Sequence, residues 1–315
     1  MSPAAPAPPR APAPVRTLVP PEVPEPVETP APVDTALPPH ADAPLLAALR
    51  PVSLAETNER AALVTRTCRK YLVPAKLLEP LFAGARDRFG VLTIDGRRSF
   101  RYSSTYLDTP GLRTFHDHRQ GRRVRFKVRT RTYVDTGTRV FEVKLKGARG
   151  VTDKVRTEYA GPPDRLVPAT RRFLDDTLLA YGVEPPDTLE ACAVTDYRRT
   201  TVVALDGEER VTVDTGLVGH RGGWSVRMRP DVVLLEVKTR GGLTSTERGL
   251  HGLGFREAGF TKYGATVAAL EPRLRGNRWH RAMGACLDRP VPCSPERGAG
   301  GPPAAEGNGR WGPGS

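Results

Sequence analysis

Beyond residue 60 apolar and polar positions begin to alternate. The alternation runs over 63–73, 100–108, 124–133, 139–146, 152–159, 196–206, 209–215, 224–229 and 232–239. Exchange at every second position is the mark of a strand with one buried face. Gly, Pro and Asp punctuate the runs, as turns require. Helical spacing is confined to 44–49, 74–85 with Pro74 near its first turn, 168–181, and a passage from 245 to 257 leading into 260–270. Many strands joined by short turns, with few helices and no internal repeat, predict a mainly β (α+β) domain. Its form is an antiparallel barrel or a strongly curved sheet.

The same alternation sorts the charges, because alternate residues of a strand share a face. In 123–133 one face is Arg123, Arg125, Lys127, Arg129 and Arg131, and the other is Val124, Phe126, Val128, Thr130 and Thr132. The next strand sets Glu142, Lys144 and Lys146 against Phe141, Val143 and Leu145. Lys154, Arg156 and Glu158 lie together, as do Arg210, Thr212 and Asp214, and Glu236 and Lys238 oppose Val233, Leu235 and Val237. The first strand contributes Arg66, Cys68 and Lys70. One charged face is ordinarily a solvated face; repetition across six strands, with carboxylates set among the cations, points to a common interior.

Composition changes the picture at the ends. Fifteen of the 32 prolines fall in the first 50 residues, and the last stretch reads PVPCSPERGAGGPPAAEGNGRWGPGS. Neither end has the apolar spacing needed to offset chain entropy. The expected organisation is a Pro/Ala-rich disordered arm over 1–44, a folded domain over 45–275, and a largely disordered Gly/Pro-rich tail over 276–315. Residues 1–50 carry a net −2 and residues 291–315 balance, so the chain's +13 becomes +15 over 51–290 and calls for an anionic partner. Lysine is scarce, 8 against 40 arginines, yet Lys70, Lys127, Lys144, Lys146, Lys154, Lys238 and Lys262 all lie on these strand faces or in the late FTKYG turn. Such placement fits sites that need a compact ammonium. Four scattered cysteines form no zinc or disulfide pattern. No apolar stretch reaches membrane-spanning length and no signal-peptide core precedes the domain, so the expectation is a cytoplasmic protein without a span of its own.

Cations converging inside a barrel are unfavourable when unpaired. A polyanion offsets that cost, and a few carboxylates could hold a divalent ion bridging its phosphates. Residue patterning therefore leads to an inward-charged β-barrel for a phosphate-rich ligand.

Nine motifs then occur in order: CRKYLVP, STYLDTPGL, HRQGRRVRFKVRTRTY, FEVKLKG, DKVRTEY, DYRRT, VTVDTGL, LLEVKT and FTKYG. Over roughly 54–270 the chain resembles the VTC domain, the polyphosphate polymerase domain of the vacuolar transporter chaperone complex and a branch of the triphosphate tunnel metalloenzymes. The resemblance implies an eight-stranded antiparallel tunnel with a few flanking helices, binding ATP and polyphosphate or inorganic phosphate and transferring the γ-phosphate to a growing chain with Mn²⁺ or Mg²⁺. It implies that Lys70 is the first-strand tunnel lysine and that Arg129 and Arg131, or neighbouring Lys127, are the paired basic residues. Lys144, Arg199 and Lys262 match further phosphate-contacting positions, and Glu236 the metal-holding carboxylate. Lys146, Lys154, Arg156 and Lys238 share the same faces and would grip nucleotide and chain. Membrane-linked relatives imply a membrane partner; oligomeric state is left open.

The first strand departs from the hydrolytic branch. Its Glu-x-Glu-x-Lys pattern is replaced by Arg66, Cys68 and Lys70, which disfavours a triphosphatase. Cys68 reads as a small structural residue. His116-x-His118 reads as part of a turn, there is no P-loop, and Gly252-x-Gly254 lacks the strand that a dinucleotide loop needs. Three functions remain: a polyphosphate polymerase, a non-catalytic polyanion-binding module, and a metal-dependent triphosphatase. Nucleic acid is not expected, because aromatics are only 6% of the chain and carboxylates interrupt the basic faces.

Overall fold

The alternating runs form strands. A computed structural model describes residues 48–62, 67–83, 86–146, 152–207, 209–274 and 279–293; the N-terminal arm and residue 66 lie outside these. In chain order come β1 (Arg50–Val52), α1 (Leu54–Ala62), β2 (Thr67–Pro74), α2 (Leu78–Ala83), β3 (Phe89–Leu92), β4 (Ser99–Asp108), α3 (Arg113–Gln120), β5 (Arg125–Tyr133), β6 (Arg139–Lys146) and β7 (Thr152–Glu158). There follow α4 (Pro168–Ala180), β8 (Glu190–Ala204), β9 (Glu209–Arg221), β10 (Trp224–Arg227), β11 (Val232–Thr239), α5 (Ser245–Gly252), α6 (Lys262–Leu270), α7 (His280–Cys286) and β12 (Val291–Pro292).

Eight strands run in the order β7-β6-β5-β4-β8-β9-β11-β2, every neighbouring pair antiparallel. Short strands extend the long ones: β3 pairs the end of β8, β1 lies parallel to β3, and β10 with β12 continues beside the second half of β9. The sheet curls until Lys144 on β6 is repelled by Lys70 on β2 and Lys238 on β11. The expected barrel does not close, however: among the described residues β2 and β7 do not pair. Both edges carry cations on the concave face, Lys70 on one and Lys154 with Arg156 on the other, and their like charge opposes the last approach.

Two of the apolar clusters lie on the convex side, while Tyr106, Tyr197 and Leu234 on the concave side pack against α6 and the segment before it. Under α2 and α5, Phe82 and Leu250 pack on Tyr71, Val73, Val213 and Leu235. Under α4, Leu174 and Leu178 pack on Phe126, Val128, Phe141 and Val143. Thus the alternation of β5, β6 and β11 gives one greasy face to the helices and one charged face to the concavity. No helix among the described residues is long and apolar enough to cross a membrane.

Sequence spacing missed α1, α3, α7, β1 and β3. The His116–His118 segment is helical, not a turn. Leu112 takes a left-handed conformation (φ 54°), and buried Asp108 accepts hydrogen bonds from the backbone N–H of Thr114 and Phe115. Past residue 270 the chain continues into α7 and β12. Trp279 is fully buried, with its ring 5.4 Å from that of Phe115 and stacked on His118 at 5.6 Å. Gly264 on α6 makes room for it: a Cβ there would lie 2.6 Å from Trp279 Cζ2.

Gly264→Ala is therefore expected to cost about 1–3 kcal/mol through overpacking. Trp279→Ala should cost about 3–5 kcal/mol. Urea midpoints of the two variants against wild type measure both effects, and a chain ending at residue 275 should melt below the full chain.

Candidate functional site

Strand register brings the charged residues into cross-strand contact. Lys127 stands opposite Lys144, which stands opposite Lys154; Arg129 faces Glu142, which faces Arg156. On the other flank Lys70 faces Glu236, Cys68 faces Lys238, and Arg199 faces Asp214. Lys146 sits opposite Arg125 near one end of the concave face. Lys262 arrives from the first position of α6 rather than from a strand.

Three carboxylates organise these cations. Glu142 is buried and accepts from Arg129 Nε at 2.6 Å, with Lys154 Nζ at 3.3 Å and Arg131 Nε at 3.9 Å. Asp214 is buried and takes a bidentate grip from Arg199 at 2.6 and 2.8 Å while also accepting from Lys262. Glu236 pairs with Lys238 at 3.0 Å. Lys70, Lys127 and Lys144 form no salt bridge among the described residues. Tyrosines complete the surface. Arg131 donates to Tyr197 at 3.2 Å, the Lys262 ammonium sits 4.2 Å from the Tyr197 ring centroid, and Arg129 donates to Tyr106 at 3.2 Å.

Burial disfavours charge on all these groups, and the neighbours decide the outcome. Burial pushes the carboxyls of Glu142, Asp214 and Glu236 up, but the cations around them win. Arg129, Arg131 and Lys154 hold Glu142 well below the usual carboxylate range. Arg199 and Lys262 hold down Asp214, and Lys238, Lys70 and Arg199 hold Glu236 well down. For Lys70 burial is outweighed by Glu236, and its pKa rises. Lys127 has no such relief: burial, then Lys144 and Lys70, push it well below the ordinary lysine value. Burial and Lys70 lower Lys144. Burial brings Lys154 down to about 8 although Glu142 pulls the other way. Water still reaches Lys144 and Lys154. The Cys68 thiol is pushed up by burial and by Glu236, which fits a structural residue.

The sequence singled out Glu236 but not Glu142 or Asp214, although both stood on the charged faces between apolar neighbours. Arg210 was missed too; its guanidinium has a buried Nε without a partner. Among the described residues no three His, Cys, Asp or Glu side chains cluster closely enough to hold an ion. Glu236 therefore offers a single anionic donor. This fits a Mg²⁺ or Mn²⁺ ion that keeps its waters and shares phosphate oxygens, and does not fit one caged by protein alone.

A curled antiparallel sheet with cations gathered on its concave face and flanking helices, of which α6 packs against concave Tyr106 and Tyr197, is the architecture of the triphosphate tunnel class. The VTC domain model matches residues 65–271, well over half the chain, and the chain belongs to that family. The wider superfamily is generally divalent-metal dependent. Solved structures are similar at low identity. HpAC1 of Hippeastrum, described with a dominant triphosphatase activity, matches at 14% identity and TM-score 0.36, covering 66% of this chain and 99% of its own. A Vibrio parahaemolyticus protein solved as a candidate adenylate cyclase matches at 13% and 0.33, covering 68% of this chain and 87% of its own. The PH1012 protein of Pyrococcus horikoshii matches at 11% and 0.30, covering 69% and 98%. No curated protein matches in sequence.

Two predictions follow from the charge balance. Lys127→Met removes a cation that has no salt bridge, so it should raise the melting temperature by a few degrees, about 1 kcal/mol corresponding to roughly 2–4 °C at this size, while weakening tripolyphosphate binding. For Lys154 the folded pKa of about 8 lies below the unfolded value. Between the two the unfolded chain binds more protons, so this group makes stability rise with pH. Anion affinity should fall over the same interval. Melting curves and titration calorimetry at pH 7 and 9, for wild type and Lys154→Gln, should show both trends reduced in the variant.

Proposed function

We propose that the concave face binds ATP and a polyphosphate chain end to end and transfers the γ-phosphoryl group to the chain. The observation that carries this reading is the set of lysines left without a salt bridge, Lys70, Lys127 and Lys144, ringed by arginines already fixed on carboxylates. Phosphoryl transfer asks a protein for in-line positioning and for neutralisation of the equatorial oxygens. Free ammonium groups on a rigid sheet supply both.

In this reading Arg129 and Arg131, held by Glu142, and Arg199, held by Asp214, keep their guanidinium groups in place while phosphate oxygens exchange with the carboxylates. Lys70, Lys127 and Lys144 take charge directly, and Lys146, Lys154, Arg156 and Lys238 extend the track. Lys262 acts through Asp214, orienting Arg199. A terminal phosphate oxygen of the chain attacks the γ-phosphorus, and the bond from that phosphorus to the β,γ-bridging oxygen breaks. ADP leaves with the electron pair. The attacking oxygen is already anionic, so no general base is needed. Glu236 would hold a divalent ion, which would supply neutralisation of phosphate charge. Arg66 and Cys68, where the hydrolytic branch carries a carboxylate pair, support transfer to phosphate over attack by water.

The full chain incubated with ATP and Mn²⁺ should yield long-chain polyphosphate on a gel with matching ADP. Free phosphate without chains would replace this reading with a triphosphatase, and tight polyphosphate binding without turnover would replace it with a binding module. Glu236→Gln is expected to abolish metal-dependent turnover while leaving polyphosphate binding largely intact; equal loss of both would count against the metal role.

A further inference from the structure

A second group of arginines stands on the convex side of the sheet. It begins at the β3–β4 connection, where Asp95 and Gly96 both have positive φ (49° and 74°). The Ile94 and Arg97 backbones bond to each other at 3.0 and 2.9 Å across them. Asp-Gly is the pair that such a two-residue hairpin demands, so the positions of Arg97 and Arg98 are fixed by the turn. Two residues into β4, Arg101 stands directly opposite Arg198 of β8. Alternation sends these two outward while their neighbours Tyr102 and Arg199 point inward, so the DYRRT motif gives one arginine to each face. The turn after β5 contributes Asp135, which accepts from the Arg101 backbone N–H at 2.6 Å and from its Nε at 2.9 Å. Arg97 reaches the same carboxylate at 3.7 Å.

With Ser99 these side chains line a surface cavity of about 480 Å³. Among the described lining residues Asp135 is the one carboxylate beside Arg97, Arg101 and Arg198, and both its oxygens already accept from Arg101, which leaves the cavity positive. Arg198 Nε is shielded from water and has no hydrogen-bond partner, a state that normally costs about 1–3 kcal/mol or more. The lining holds no aromatic or aliphatic side chain, so a base or an apolar side chain has nothing to stack on. Guanidinium forks alone suit bare phosphate oxygens. The position matters as well. The start of β4 and the β5–β6 turn lie at one end of the sheet, where Tyr102 and Tyr133 meet on the concave side at 5.3 Å. The cavity therefore lies at the rim of the concave face, separated from it by the thickness of one sheet.

We propose that this rim cavity binds a second stretch of the polyphosphate chain whose reacting end lies on the concave face. The inference rests on the function proposed above and adds a site outside the tunnel that only long chains can occupy together with it. Tripolyphosphate is short enough to be satisfied by the concave face.

The test uses the full chain, with equilibrium binding of long-chain polyphosphate, tripolyphosphate and inorganic phosphate measured over a salt series. Arg97→Gln with Arg198→Gln should weaken long-chain binding about tenfold. The double variant should lower the slope of log affinity against log salt by about two and leave tripolyphosphate binding unchanged. Unchanged long-chain affinity and slope in a folded variant would overturn the inference, as would equal weakening for both lengths. An effect confined to inorganic phosphate would overturn it too, by assigning the cavity to the free ion. Should Arg198→Gln fail to fold, exposed Arg97→Gln alone should still give about a threefold loss and a slope change near one. Wild type binding neither polymer would refute the proposed function; wild type and variants binding both alike would refute the rim site alone.

Discussion

Everything in this protein is arranged around like charges that must share one concave surface without a bound anion. Three carboxylates make this tolerable, each serving more than one cation: Glu142 three of them, Asp214 two, and Glu236 one at contact distance with Lys70 opposite. The remaining cost falls on the convex side, where Phe126, Phe141, Val213 and Leu235 are buried under helices. Burial of apolar area, at roughly 25 cal/mol per Å², is what holds a sheet whose inner face would otherwise push it apart.

The choice between arginine and lysine follows from the same constraint. Arginine does not lose its proton within a protein, so each inward arginine commits the structure to a permanent charge. Arg129 and Arg199 accordingly sit on carboxylates. Lysine can give up its proton when crowded, and Lys127 and Lys144, which lack a salt bridge, have their pKa values pushed down. A polyanion would push them back up. A lysine's charge can therefore respond to its neighbours where an arginine's cannot, which is a physical reason for the scarce lysines to concentrate on this face.

Much of this was legible in the chain. The strands at 139–146 and 232–239 have the limits that alternation predicts, because Phe141, Val143 and Leu145, or Val233, Leu235 and Val237, leave no other face to bury. The charged faces follow from the same parity. What spacing cannot show is which charge meets which across strands. Glu142 and Asp214 look like isolated acids in sequence and become hubs only through register. Helix α3 is specified by Asp108, five residues upstream of its first residue, and α7 by a tryptophan that finds Gly264 across the fold. Closure of the sheet failed as an expectation because it depends on a balance between repulsion and hydrogen bonding that no local pattern encodes.

Among the described residues the unclosed sheet leaves two edges, on β2 and β7, that no further strand pairs, although on β2 the Lys70 carbonyl accepts from the Ala258 backbone N–H at 2.7 Å. Exposed edges of this kind invite pairing with another molecule and, repeated, lead to aggregation. Here the edges carry Lys70, Lys154 and Arg156, and two copies meeting edge to edge would bring these cations together. The cations that line the concave face at these edges would therefore also oppose the pairing of one molecule with the next. By the same logic, a bound polyanion that neutralises them would remove that protection at the moment it fills the groove.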